Sequence, residues 1–238
     1  MDTLPSYRQP QKDNKLFSAP KESLLLPHMP IQFDGPASTN RSSIEQYVAD
    51  SFNNSYQAKI TEFLPYLLST QSDNKLTATI GFQPAATKQP LFLEQYLSKT
   101  IESTLSDLLK KTIPRDQIVE VGNLTSGHQG RASQILFILS VAILHQADFK
   151  WVTFTATKQV QTLLKKLNLN TQKVCKANPA DLLNSPSSWG NYYDDKPTVL
   201  VGNLTDAIEQ LNSHKVVQFI LQNYHHTVIE IAEQIKLK

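Results

Sequence analysis

The sequence predicts an α/β fold built on a mixed, twisted sheet flanked by helices. Three observations lead there. β-Branched, alternating runs at residues 75–82 and 150–157 read as strands. Apolar residues at helical spacing fill the segments between strands, most densely at residues 132–145. From Gln117 the order is strand, helix, strand, helix, which implies a βαβ unit and so a parallel pair inside a larger mixed sheet.

The elements follow in order. Residues 1–42 hold six prolines among polar residues and read as an irregular N-terminal arm, dispensable for folding. Ile44, Tyr47, Val48, Phe52 and Tyr56 predict a helix capped by Ser42 or Ser43. Residues 63–68 predict a short strand broken at Pro65, and residues 91–93 another. Residues 100–111 predict a helix, 117–124 a strand, 159–167 a helix and 198–202 a late strand. Val217, Ile220, Leu221, Tyr224, Val228, Ile231 and Ile235 form the stripe of a C-terminal amphipathic helix. The organisation expected is an arm over 1–42, one domain over 43–212 and a helical extension over 213–238.

Composition narrows the function. Lys plus Arg is 23 against 21 for Asp plus Glu, and four residues are Arg. So balanced a chain lacks the basic face that tracks phosphates, which argues against nucleic acid as a partner. The single cysteine, Cys175, excludes an intramolecular disulfide framework and a multi-thiolate metal site. His225 and His226 have no carboxylate or third His nearby, so no metal is expected. The first residues show no signal-peptide pattern and no long apolar run follows, so a cytoplasmic location is expected, with peripheral membrane contact open.

The informative segment runs from Glu120 to Ala132 and joins a strand to a helix. Gly127 and Gly130 permit a tight turn at the helix N-terminus, where unpaired N–H groups attract phosphate. His128 lies in that turn and Arg131 adds a cation at its mouth. A turn needing glycine only for its geometry reads the same way. Glu120 has two readings: a buried carboxylate that takes a proton from an amine, or an outward strand residue with Val119 and Val121 toward the core. Glu94 and Tyr96 share a face if the strand at 91–93 continues, and would then bind an acceptor. Trp189, Tyr192 and Tyr193 either wall a substrate pocket or plug the end of a core.

The strand–Gly130-Arg131-Ala132–helix order resembles the GCN5-related N-acetyltransferase (GNAT) fold, whose loop grips the pyrophosphate of coenzyme A. Leu164 and Asn168 stand where that fold has a later Tyr and a helix-ending Gly. Residues from about 77 to about 202 resemble the thermostable hemolysin family more closely. The strings are Ile80-Gly-Phe-Gln-Pro84, Leu91-Phe-Leu-Glu-Gln-Tyr-Leu97, Ile118-Val-Glu-Val-Gly-Asn-Leu124, Trp151-Val-Thr-Phe-Thr-Ala-Thr157 and Trp189-Gly-Asn-Tyr-Tyr193. That pattern is similar in turn to acyl-homoserine lactone synthases, whose Glu-x-Ser-Arg-Phe strand Glu120 matches. Asn123 and Leu124 depart from it, standing in place of Arg and Phe, which argues against a homoserine-lactone product.

The resemblance implies acyl transfer from an acyl-CoA or acyl-carrier-protein thioester to a small-molecule amine. Glu120 would be the base, with Glu94, Tyr96 and Asn123 beside it. The N–H groups of Leu124, Thr125 or Ser126 would hold pantetheine or polarise the thioester carbonyl, and residues 127–132 would cradle phosphate. Two other functions stay open. One is a membrane-active hemolysin using the C-terminal stripe; the other is a binding module that kept the fold and lost the chemistry. The C-terminal helix is also the expected surface of a homodimer.

Overall fold

The computed structural model describes residues 29–126, 131–183 and 186–236. Its centre is a seven-stranded sheet of β1 (Ile31–Asp34), β2 (Tyr66–Ser72), β3 (Lys75–Pro84), β4 (Ile118–Ser126), β5 (Trp151–Ala156), β6 (Gln172–Lys176) and β7 (Thr198–Asn203). The strand order is β1-β2-β3-β4-β5-β7-β6. Only β4 and β5 pair in parallel among the described strands; the connection between them is the expected βαβ unit. Its helix, α3, spans Arg131–Gln146, after α1 (Arg41–Tyr56) and α2 (Ile101–Leu109). Four more helices follow: α4 (Lys158–Lys166), α5 (Leu204–Asn212), α6 (Lys215–Asn223) and α7 (His225–Lys236).

Local chemistry sets the boundaries. β2 begins at Tyr66, later than expected, because Pro65 has no N–H for a ladder. β2 turns into β3 at Asp73 and Asn74, both left-handed (φ 51° and 60°), the two-residue turn that matches strand twist. α1 starts at Arg41 rather than after Ser42 or Ser43. The Arg41 guanidinium donates to the Leu64 and Pro65 carbonyls and pairs with Glu45, which ties the first turn to the entry of β2.

The sheet is covered on both faces. Val119 and Val121 point into the larger core with α3, which includes Leu136, Leu139 and Ile143. Ile118 points to the opposite face, packed with Leu93, Ile101 and Leu105. α1 lies over a small third cluster that Trp189 also joins.

Three expectations change. The stretch expected to be irregular before Ser43 contains β1, which pairs with β2 through Ile31–Thr70 to Asp34–Leu67. Residues 91–93 form no strand. Pro90 precedes them, and the Glu94 carboxylate accepts the Leu91 N–H at 2.9 Å, curling Phe92–Tyr96 into a 3-10 turn. The C-terminal stripe is divided between α6 and α7. The break falls at Tyr224, whose hydroxyl accepts the Met29 N–H at 2.8 Å and donates to the Met29 carbonyl at 3.0 Å.

Candidate active site

β4 carries an extra residue. Gly81 and Thr79 on β3 pair with Gly122 and Thr125 on β4, so three steps on β4 face two on β3. Asn123 takes up the difference at φ 48°, a left-handed conformation Asn tolerates better than most residues. Its side-chain oxygen accepts the Leu64 N–H at 2.8 Å, and its carbonyl accepts from the Thr79 hydroxyl at 3.0 Å. The missing side chain of Gly81 makes room, since a Cβ there would sit 3.0 Å from the Asn123 oxygen. The β4–β5 ladder ends at Val121–Phe154. Beyond that pair the two strands part. α1 packs over β4 at this gap, with Tyr47 beside Thr125 and Tyr56 beside Thr157.

A cavity of about 910 Å³ occupies this opening. One side is lined by Ile80, Phe137, Phe154, Val160 and Leu163, which belong to the larger core or pack on it. The other is lined by aromatic residues of α1, the 3-10 turn and the loop before β7. The cavity therefore runs between β4 and β5 and opens to both faces of the sheet.

Glu120 sits where the strands begin to part, opposite Gln83 on β3 and Thr153 on β5. It lies on the Ile118 face, yet that face is covered by the 3-10 turn, so the residue is 4% exposed. The burial half of one reading and the orientation half of the other both hold. Oε1 accepts the Leu93 N–H at 3.1 Å, while Oε2 is buried with no partner in the protein. Burial pushes the carboxyl pKa up to about 8; the Leu93 N–H bond and the nearby Phe92 N–H oppose the shift and the Glu94 charge adds to it. A buried carboxyl oxygen without a partner lacks the compensation that normally accompanies desolvation, and such groups mark functional sites.

The 3-10 turn is fixed from behind. Arg115 donates to both Glu94 oxygens (2.7 and 2.9 Å), to Glu102 (2.6 Å) and to the Ala85 carbonyl (2.7 Å). Burial alone would raise the Glu94 pKa. The bonds from Arg115, Ile101 and Leu91 outweigh it and hold the carboxylate below its usual range. Glu94 is thus a clamp on the turn that places the Leu93 N–H against Glu120. Glu94 and Tyr96 do not share a strand face. Tyr96 instead hydrogen-bonds Tyr193 through the hydroxyls at 2.6 Å, and burial raises its pKa, keeping it neutral.

The loop before β7 brings the remaining aromatics. Gly190 has φ 51°, and a Cβ there would lie 2.1 Å from the Tyr56 carbonyl. The Asn191 N–H donates to that carbonyl at 2.9 Å, and the Lys59 N–H to the Ser188 carbonyl at 2.6 Å. These bonds seat Trp189 and Tyr192 on α1, with ring centroids 5.2 Å apart and Tyr56 5.1 Å from Tyr192.

The cavity unites many residues picked from sequence: Glu94, Tyr96, Glu120, Asn123, Leu124, Thr125, Trp189 and Tyr192 all line it. Tyr193 stands behind Tyr96. Thr125 shares a hydroxyl bond with Thr79 at 2.8 Å. Ser126 ends β4, Arg131 is exposed at the first turn of α3, and Ala132 follows it. Gly127, His128 and Gly130 lie outside the described residues. Sequence reasoning missed Phe52 and Tyr56 as lining residues, Tyr47 beside Thr125, and Arg115. The helical stripe of α1 signalled burial of its aromatics but not which wall they build, and one Arg in a polar stretch signals nothing until its partners are folded around it.

A mixed sheet with one parallel pair among the described strands, a bulged β4 and strands that part beside it is a GNAT-like fold. Within that class the chain belongs to the thermostable hemolysin family, whose sequence model matches residues 35–208. No curated protein matches the sequence. Among solved structures, FeeM, an N-acyl amino acid synthase from uncultured soil microbes, is similar with a TM-score of 0.53 at 13% identity, covering 81% of this chain and 99% of its own. The AHL synthase LasI gives 0.52 at 14%, covering 74% and 90%. BjaI, a CoA-dependent acyl-homoserine lactone synthase, gives 0.52 at 7%, covering 82% and 89%. At these identities the likeness is one of fold.

Proposed function

We propose that the protein is an N-acyltransferase that moves an acyl group from an acyl-CoA or acyl-carrier-protein thioester to an amine. The observation that carries this reading is Glu120, a buried carboxyl with an unpartnered oxygen in a cavity between parting strands. The similar folds of an N-acyl amino acid synthase and a CoA-dependent acyl-homoserine lactone synthase support the reaction class but not the substrate.

The chemistry follows from the residues. The thioester supplies an electrophilic carbonyl. The amine nitrogen attacks it, Glu120 takes the nitrogen's proton, the C–S bond breaks, and the thiolate leaves and is protonated. A pKa of about 8 suits a base working near neutral pH. Past Val121 the β5-facing edge of β4 has no strand partner, so N–H groups among Leu124, Thr125 and Ser126 hold pantetheine or polarise the carbonyl. The N-terminus of α3, with Arg131, takes the phosphates. The apolar residues on the α3 side of the cavity receive the acyl chain.

The membrane-active alternative drew on the C-terminal stripe. Val217, Ile220, Tyr224, Val228, Ile231 and Ile235 of that stripe are buried in the larger core, and no described helix is long and apolar enough to cross a membrane. A homodimer through these helices would use Val216, Phe219 and Ile229, which stay exposed. The test is release of free thiol from acyl-CoAs of several chain lengths with a panel of amines, and mass spectrometry for the amide. Amine-dependent thiol release matched by amide is the expected result. Absence of both turnover and CoA binding contradicts the proposal.

A further inference from the structure

The end of the cavity beside Glu120 has a distinct chemistry. Its wall is made by Phe52, Tyr56, Phe92, Tyr96, Trp189 and Tyr192. Glu120 lines the cavity there, and its Oε2 is buried without a partner. Among the described lining residues the one cationic side chain is that of Lys166. It is exposed in the last turn of α4, whose Val160 and Leu163 pack on the larger core, across the sheet from Glu120. Arg115, the guanidinium nearest the 3-10 turn, is already committed to Glu94, Glu102 and the Ala85 carbonyl.

Aromatic faces carry negative charge density and attract ammonium groups. A buried carboxyl does the same once ionised. Both repel a carboxylate, which would also lose its hydration with no described cation to compensate. We propose that the acceptor is a primary amine on an apolar or aromatic body that carries no carboxylate, bound between the aromatic wall and Glu120. This inference rests on the acyl-transfer reading for the role of the amine. It sets the protein apart from FeeM, an N-acyl amino acid synthase.

The test is calorimetric binding of two probes to the full chain, phenethylamine and phenylalanine, which differ by one carboxylate. The proposal expects phenethylamine to bind at least about tenfold more tightly, a difference of about 1.4 kcal/mol. Trp189→Ala and Glu120→Gln should each weaken its binding severalfold; two variants guard against one failing to fold. Equal or tighter binding of phenylalanine, binding of neither probe, or unchanged affinity in both variants overturns the inference. Thiol release from acyl-CoA is read separately. Transfer to phenylalanine with no preference for phenethylamine leaves acyl transfer standing and removes this acceptor class. Tighter phenethylamine binding, weakened by the variants, without any transfer supports the amine site and counts against the reaction.

Discussion

Glu120 is costly to keep. Its folded pKa of about 8 lies above the ordinary carboxyl value of 4.5, so between those values the folded chain binds a proton that the unfolded chain releases. Stability therefore falls as pH rises through that window, by up to about 1.4 kcal/mol per pH unit. Its contribution is fully present below the unfolded pKa and is lost as pH passes the folded one. Glu120→Gln removes the titrating group. Denaturant unfolding of both proteins at pH 5 to 9 should show the wild type losing stability relative to the variant as pH rises. Parallel curves would mean that the carboxyl ionises in the folded protein as freely as in water. The sequence marked Glu120 by the oddity of a charge in an apolar strand. It did not show the cover over that face, because the 3-10 turn of Phe92–Tyr96 depends on Arg115 reaching Glu94 from 21 residues away.

At the scale of elements, the site is assembled by segments that hold each other rather than by the sheet alone. The β4 bulge needs Asn123 left-handed and Gly81 bare. The aromatic wall needs Gly190, where a left-handed backbone meets the Tyr56 carbonyl. Gly190→Ala should cost about 2 kcal/mol or more, since both the backbone conformation and the contact are lost. It should also change Trp189 fluorescence as the loop lifts from α1. Thermal unfolding with emission spectra checks both, and a variant with unchanged melting and emission contradicts the role given to this contact. Strands β3, β4, β5 and β7 and helices α1 to α4 were legible because each carries its own periodicity. β6 was not: Gln172–Lys176 is a short, partly exposed edge strand with no clean alternation. The 91–93 run was misread because three apolar residues fit either a strand or a turn, and the decision lay in the Glu94 side chain.

For the whole molecule, the boundary near residue 42 does not separate an arm from a body. Met29 is buried in the larger core and is tied to Tyr224, and β1 completes the edge of the sheet. Proline count misled here because it describes local backbone and not long-range pairing. Deleting residues 1–40 removes that strand and a buried methionine, at a cost of about 3 kcal/mol. The melting temperature should fall by about 6–12 °C. An unchanged transition would show β1 to be a passive edge.

Acyl transfer to an amine in the cavity, with Glu120 as the base, is the reading proposed for this protein. The most direct measurement is the pH dependence of amine acylation by the wild type and by Glu120→Gln, with an acyl-CoA and an amine that the wild type uses. The wild-type rate should rise through an apparent pKa near the value of about 8 set by burial. The variant should be slower by ~10²–10⁴ and lack that limb, with the loss in kcat and little change in affinity for the thioester. A variant as fast as the wild type across the whole pH range contradicts the claim.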